Sequence, residues 1–303
     1  MRVRPASAPS IGRSGGDLKT GSATVGDLTS EGAVVAIDPE DWRELNRAWW
    51  DERVPLHVRS ELYDVEAFKA GEEQLRPFEL ALAGDVSGLR MVHLQCHFGE
   101  DTLAWARHGA SIIGLDFSQP AVDTANELAG ELGLDATFVC SDVYDAVDAL
   151  EGEQFDLVYT GLGALNWLPD LGRWADVVTA LIEPGGRVLL AEFHPFTWVF
   201  GDDVTTVEND YFSKAPFIWD DPGSYADLGA TTQHNATVEH QHALSEIITV
   251  LLQRGHQLQA LEEYDHTLFP RFPSLEQRDG TFRFAEGRPR LPMMFALVTT
   301  LPD

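Results

Sequence analysis

Three positions in the first half of the chain have types and spacing suited to holding a nucleoside. The turn HLQCHFGEDT (93–102) joins an apolar strand to a helix, Asp116 ends the next apolar strand, and Asp142 follows a third. A carboxylate about 20 residues beyond such a turn can accept both hydroxyls of an adenosine ribose. One after the third strand can accept from an adenine amino group while Val143 offers an adjacent backbone N–H. Taken singly, each aspartate is more often a strand-end cap. Set in order along one βαβαβ frame, they describe a site.

Other residues suit proton chemistry. His194 follows the fifth strand, where an imidazole can take a proton near neutral pH; the alternative is a histidine bonded into the turn at Pro195. Glu262 ends a later strand, facing either a pocket or solvent, and Tyr211 lies in an aromatic stretch; these two stand behind His194 as catalytic candidates. An N-terminal group of Trp49, Trp50, Arg53, His57 and Tyr63 offers a second wall, with Arg53 pairing either with a ligand carboxylate or with neighbouring Glu52 or Asp51. His234, His240 and His242 invite a metal reading, but a two-residue spacing on a helix points side chains to different faces, so no metal site is expected.

The elements that must position these residues read clearly. From Leu89, short apolar strands (RMVHLQ, SIIGLD, DATFVCSD, QFDLVYTG, RVLLAEF) alternate with amphipathic helices, the pattern of a parallel sheet covered on both faces. A helix LSEIITVLLQRG and the strands HQLQALEEY and MMFALVTTL close the chain. Residues 195–238 break the rhythm with FTWVFGDDVTTVENDYFSKAPFIWDD, whose aromatics can wall a substrate pocket or pack as a plain loop or dimer contact. Residues 1–37 lack periodicity and read as a disordered tail. Order is expected from Asp38, with a helical segment over 38–88 and the main domain over 89–303.

Residues 89 to about 195 resemble the class I S-adenosylmethionine-dependent methyltransferases. The segments LQCHFGEDTLAWARHGA, GLDFSQPAV and FDLVYTGLGALNWLPDLGRWADVV resemble a small-molecule subgroup with an LQCHFG loop. The resemblance implies a Rossmann-like, doubly wound α/β fold with a seven-stranded, mostly parallel sheet of order 3-2-1-4-5-7-6, the last two strands forming an antiparallel pair. It implies that Leu94, Gln95, Cys96, His97 and Gly99 wrap the methionine end of S-adenosylmethionine. Asp116 then holds the ribose, Asp142 the adenine, and Phe117 and Val143 pack beside the ring. Thr160, Trp50, Arg53 and His57 complete the cofactor set. The commoner family loop has Asp at the position of His93 and glycines at Gln95 and His97, so a locally altered backbone approach is expected here. A nicotinamide dehydrogenase shares the outline but needs paired early glycines beside a pyrophosphate, which this turn lacks. A binding module without catalysis is the other alternative.

Composition narrows the partners. With 49 acidic against 21 basic residues, the formal charge of -28 disfavours nucleic acid and anionic membranes. Only three lysines occur, Lys19, Lys69 and Lys214. Such a surface suits a salt-filled cytoplasm, where screening acts within about 3 Å at molar salt; an acidic bacterial protein without salt adaptation is the other reading. Two distant cysteines, Cys96 and Cys140, give no disulfide framework and fit a reducing cytoplasm. A small-molecule substrate is expected, on a monomer or a homodimer.

Overall fold

A computed structural model describes residues 38–302 apart from residue 202; the expected tail lies outside the described residues. Three helices, α1 (Trp42–Val58), α2 (Val65–Lys69) and α3 (Pro77–Ala83), precede the sheet. The alternating region follows: β1 (Arg90–Leu94), α4 (Glu100–Arg107), β2 (Ser111–Asp116), α5 (Gln119–Leu132), β3 (Ala136–Cys140), α6 (Ala146–Ala149), β4 (Phe155–Thr160), α7 (Leu171–Leu181) and β5 (Ile182–Phe193). Then come the hairpin β6 (Phe217–Asp220) and β7 (Ala236–Glu239), helix α8 (Leu244–Leu252) and strand β8 (Gln257–Tyr264). Strands β9 (His266–Thr267), β10 (Leu275–Arg278) and β11 (Thr281–Phe284) lead to β12 (Met294–Thr300).

The main sheet has the order β3-β2-β1-β4-β5-β12-β8, parallel from β3 to β5 and antiparallel on both sides of β12. This is the expected order, with β8 and β12 as sixth and seventh strands. Chain order reverses between β1 and β4, and the crevice at that switch point is where open α/β sheets bind ligands.

Strand geometry explains the two cores. Successive side chains point to opposite faces, so Met91 and Leu157 join a cluster with α4, α5 and the N-terminal residues Val54, Val65 and Phe68. Their neighbours Val92 and Val158 join the opposite cluster with Trp174 and Val178 of α7 and Ile247 and Leu251 of α8. The first three helices thus share their core with the sheet. Local signals fix the helix ends: the Ser118 hydroxyl accepts from the Ala121 N–H at the start of α5, and Gly133 ends it in left-handed conformation; Asp170 caps α7 through the Arg173 N–H.

Two small sheets are additions that sequence periodicity did not show. The β6–β7 hairpin forms inside the aromatic insertion, and β9–β11 form a three-stranded sheet between the last two strands of the main sheet. Among the described residues, no helix is long and apolar enough to cross a membrane.

Candidate active site

The loop after β1 alternates left-handed residues: Gln95 (φ 58°), His97 (φ 52°) and Gly99 (φ 85°). The first two are the positions where the commoner loop has glycine. Both adopt the glycine-favouring conformation, at a cost of about 1–2 kcal/mol each for a residue with a Cβ. Side-chain bonds hold them there instead. Gln95 Nε2 donates to the Ala164 carbonyl (2.9 Å), and the His97 N–H donates to Asp116 Oδ2 (2.8 Å). Gly99 cannot be replaced so, because a Cβ would lie 2.5 Å from Phe138 Cε1 and 2.9 Å from Ala125 Cβ.

Asp116 is buried at the end of β2, with Oδ1 accepting the Ser118 N–H (2.9 Å) and Oδ2 that of His97. Burial pushes its carboxyl up to about 6, against the pull of those two N–H groups. Asp142 is also buried; Oδ1 accepts the Tyr144 N–H (2.8 Å), and Oδ2 pairs with Arg43 Nε (2.6 Å). Phe117 lies between the two aspartates in sequence order, with the Arg47 guanidinium 5.8 Å from its ring centre. Leu94 and Val143 are core residues, and Cys96 is buried, which raises its thiol well above the usual range.

Helix α1 lies across these strand ends. Arg43, Arg47, Trp50 and Asp51 follow the three-to-four-residue spacing of one helix face. Arg43 meets Asp142, Arg47 meets Phe117, Asp51 accepts from the Ser118 hydroxyl (2.6 Å), and Trp50 packs edge-on to His97 (4.9 Å) and Trp167 (5.3 Å). The sequence places Trp50 here but not Arg43, Arg47 and Asp51, whose shared helical face is the signal that points to them. A groove of about 610 Å³ elsewhere, between the end of α1 and α5, includes none of these residues and so does not mark the site.

Farther along α1, the next side chains are committed to the chain. Arg53 is fully buried: Nε donates to the Gly223 carbonyl, Nη2 to Thr232 Oγ1 and Asn235 Oδ1 (3.1 Å each), and Nη1 to Glu52 and the His234 carbonyl. Its expected role as a ligand contact gives way to a structural one, since its donors already have partners. His57 is buried too, sharing a proton between its Nδ1 and His97 Nε2 (2.8 Å) and bonding Ser224 Oγ through Nε2 (2.6 Å). Burial and nearby Arg53 push His57 down to about 3, and burial and His57 push His97 well below the usual range, so the pair is neutral. Helix α1, the β1 loop and the 223–235 segment are thereby joined at one point.

At the end of β4 Thr160 Oγ1, and on the loop after β1 Gln95 Oε1, are buried without hydrogen-bond partners. Glu192, which the sequence reading passed over, accepts from the N–H groups of Gly163 (2.6 Å), Ala164 (2.9 Å), Leu165 (3.0 Å) and Phe193 (2.7 Å). Burial pushes its carboxyl up to about 7, against those four donors. It fixes the loop after β4.

The structure does not bring the three catalytic candidates together. His194 accepts the Phe196 N–H on Nδ1 (3.1 Å) and donates from Nε2 to Glu263 on β8 (2.9 Å), leaving no nitrogen lone pair for a base. Its assignment as general base is therefore replaced by the structural alternative, a histidine bonded into the Pro195 turn. Glu262 is exposed on edge strand β8 and accepts from Tyr264. The Tyr211 hydroxyl accepts the Leu244 N–H at the start of α8. His240 and His242 stack at 6.5 Å, and His242 Nε2 bonds the Leu168 carbonyl.

An open α/β sheet of this order, with carboxylates at the ends of β2 and β3 beside a left-handed loop after β1, has the class I methyltransferase architecture. Residues 92–188 match the family described as "Methyltransferase domain". The chain is similar to phosphoethanolamine N-methyltransferase 1 of Triticum aestivum, 26% identical over 161 residues, covering 50% of this chain and 31% of the relative. It is 27% identical over 161 residues to ubiquinone biosynthesis O-methyltransferase of Coxiella burnetii, covering 51% of this chain and 62% of the relative. The chain thus spans less than two thirds of these relatives. Among solved structures, the PH0226 protein of Pyrococcus horikoshii shares the fold at a TM-score of 0.54 and 12% identity, over 82% of this chain and 96% of that one. A putative S-adenosylmethionine-dependent methyltransferase of Listeria monocytogenes does so at 0.53 and 17%, over 75% and 96%.

Proposed function

We propose that the protein binds S-adenosylmethionine across the carboxyl ends of β1–β3 and transfers its methyl group to a small-molecule acceptor. The observation that carries this is Asp116, a buried carboxylate held by the N–H groups of His97 and Ser118 at the switch-point side of the sheet. A carboxylate accepts at about four lone-pair sites, so two remain for the ribose hydroxyls.

The residues fit the cofactor. Its ammonium group needs acceptors, and Gln95 Oε1 and Thr160 Oγ1 are buried acceptors without partners. Its adenine amino group needs one more, which Asp142 supplies beside the Val143 N–H. When bound, the cofactor supplies a methyl group on a positively charged sulfur. The chain's own task is alignment: Glu192 fixes the loop after β4, Asp116 fixes the loop after β1, and Trp50 and Trp167 exclude water. The charge of -28 supports a partner other than nucleic acid, and two free cysteines support a reducing cytoplasm.

Calorimetry with S-adenosylmethionine and S-adenosylhomocysteine tests the reading. Binding of either at micromolar to about millimolar concentration is expected. Heat from NAD with none from these two overturns it.

A further inference from the structure

The β6–β7 hairpin presents a second built face beside the first. Paired residues of a hairpin share a face and alternate along the strand. The register pairs Phe217 with Glu239 and Trp219 with Thr237, so these four lie on one side; the other side carries exposed Ile218 and Asp220 on β6 and fully buried Val238 on β7. Phe217 and Trp219 are parallel at 6.1 Å, and Trp198, from the turn after β5, packs 5.6 Å from Phe217.

This face is clipped to the loop that follows β4. Glu239 Oε2 accepts from Asn166 Nδ2 (2.9 Å), and the Asn166 carbonyl accepts the His240 N–H (2.7 Å). Asn166 adjoins Trp167, which packs on Trp49 and Trp50 of α1. Glu239 Oε1 has no partner among the described residues. Two residues on, Gln241 is buried (6% exposed), with Nε2 on the Tyr211 carbonyl and Oε1 without a partner.

We propose that Glu239, Asn166 and the rings of Phe217, Trp219 and Trp198 form a binding subsite for the ammonium group of a small-molecule amine. Naming this amine the methyl acceptor rests on the methyl-transfer reading above and requires the ammonium to give one proton to the Glu239 carboxylate, after which the nitrogen lone pair takes the methyl group and S-adenosylhomocysteine leaves. The chemistry selects the ligand's sign. The unfilled side-chain oxygen, Glu239 Oε1, is an acceptor, so the ligand must bring a donor. Aromatic faces attract cations. A carboxylate or phosphate would meet a like charge and ring faces of the wrong polarity. A neutral alcohol brings a donor but no positive charge for the carboxylate and the ring faces. Burial pushes the Glu239 carboxyl up to about 7, a cost that a bound cation offsets. The overall charge of -28 acts in the same direction.

The test titrates 2-phenylethylammonium, its neutral isostere 2-phenylethanol and the anion 3-phenylpropionate into the full-length protein saturated with S-adenosylhomocysteine. The ammonium is expected to bind at least about tenfold more tightly than the alcohol, with no heat from the anion. Glu239→Gln is expected to weaken the ammonium about tenfold or more, with S-adenosylhomocysteine affinity on the same sample showing that the fold is intact. Phe217→Ala is expected to weaken the ammonium more than the alcohol. The proposal is overturned if the anion binds as well as the ammonium, or if Glu239→Gln binds the ammonium as the parent does. No heat from the ammonium up to about 10 mM also overturns it. If S-adenosylhomocysteine fails to bind while the amine discrimination holds, the subsite stands and methyl transfer falls.

Discussion

Replacing Asp116 by Asn separates its two roles, one in the fold and one toward the ligand. In the folded protein burial raises the carboxyl to about 6, against an ordinary value of 3.8. A group whose folded value is raised binds protons more readily in the folded state, so the fold loses stability as pH rises from about 4 to about 6. At about 1.4 kcal/mol per tenfold, the charged carboxylate costs about 3 kcal/mol at neutral pH. Asn carries no such cost, but its single oxygen can accept only one of the N–H groups of His97 and Ser118, leaving the other facing an amide NH₂ at a cost of about 1–3 kcal/mol. Asp116→Asn is therefore expected to be neutral or up to about 2 kcal/mol stabilising at pH 7. Its advantage over the parent should shrink by most of about 3 kcal/mol as pH falls to 4. Ligand binding moves the other way: losing a charged acceptor for the ribose should weaken S-adenosylhomocysteine by about 1.5–3 kcal/mol, roughly 10- to 100-fold. Urea titrations at several pH values and calorimetry at pH 7 measure both. An affinity within twofold of the parent would refute the ribose assignment, and a stability difference flat in pH would refute the buried-charge argument.

Other expectations follow from the same contacts. Glu192→Ala leaves four backbone N–H groups without their acceptor and should lower stability by about 3 kcal/mol or more, with Glu192→Gln milder; equal effects in denaturant titrations would count against its role in fixing the loop. Glu192, Glu239 and Glu100 are raised by burial to about 7, 7 and 8, and above about 7 buried histidines such as His57 and His97 are largely neutral in both states, so the free protein should lose stability as pH rises from about 7 to 8; a melting temperature rising over that range would contradict this. With 49 acidic and 21 basic residues, melting temperature should climb between low and molar KCl, and an unchanged value would remove the inference of salt adaptation. His194→Ala should cost stability, through the lost bonds to Glu263 and the Phe196 N–H, and leave S-adenosylhomocysteine affinity within about twofold; a variant that folds as stably as the parent but turns over at least about 100-fold more slowly would restore it as a base.

The sequence by itself determined the sheet and the order of the carboxylates at its strand ends. Apolar runs of strand length alternating with amphipathic helices leave few packings, and a carboxylate at a strand's end stays at the sheet's edge whatever surrounds it. Asp116 and Asp142 were legible for that reason. The roles of His194, Arg53 and Tyr211 were not, because a polar side chain's function depends on which partners reach it first. Those partners are Glu263, 69 residues from His194, Gly223, 170 residues from Arg53, and the Leu244 N–H, 33 residues from Tyr211. The left-handed turns at Gln95 and His97 were hidden as well, since local preference argues against them and only bonds to Ala164 and Asp116 hold them. Glu239 shows the limit most plainly: nothing in its neighbourhood of sequence distinguishes it from the other carboxylates of an acidic chain. Only the pairing of β7 with β6, and the clip to Asn166 73 residues away, set it beside aromatic rings with one oxygen unfilled.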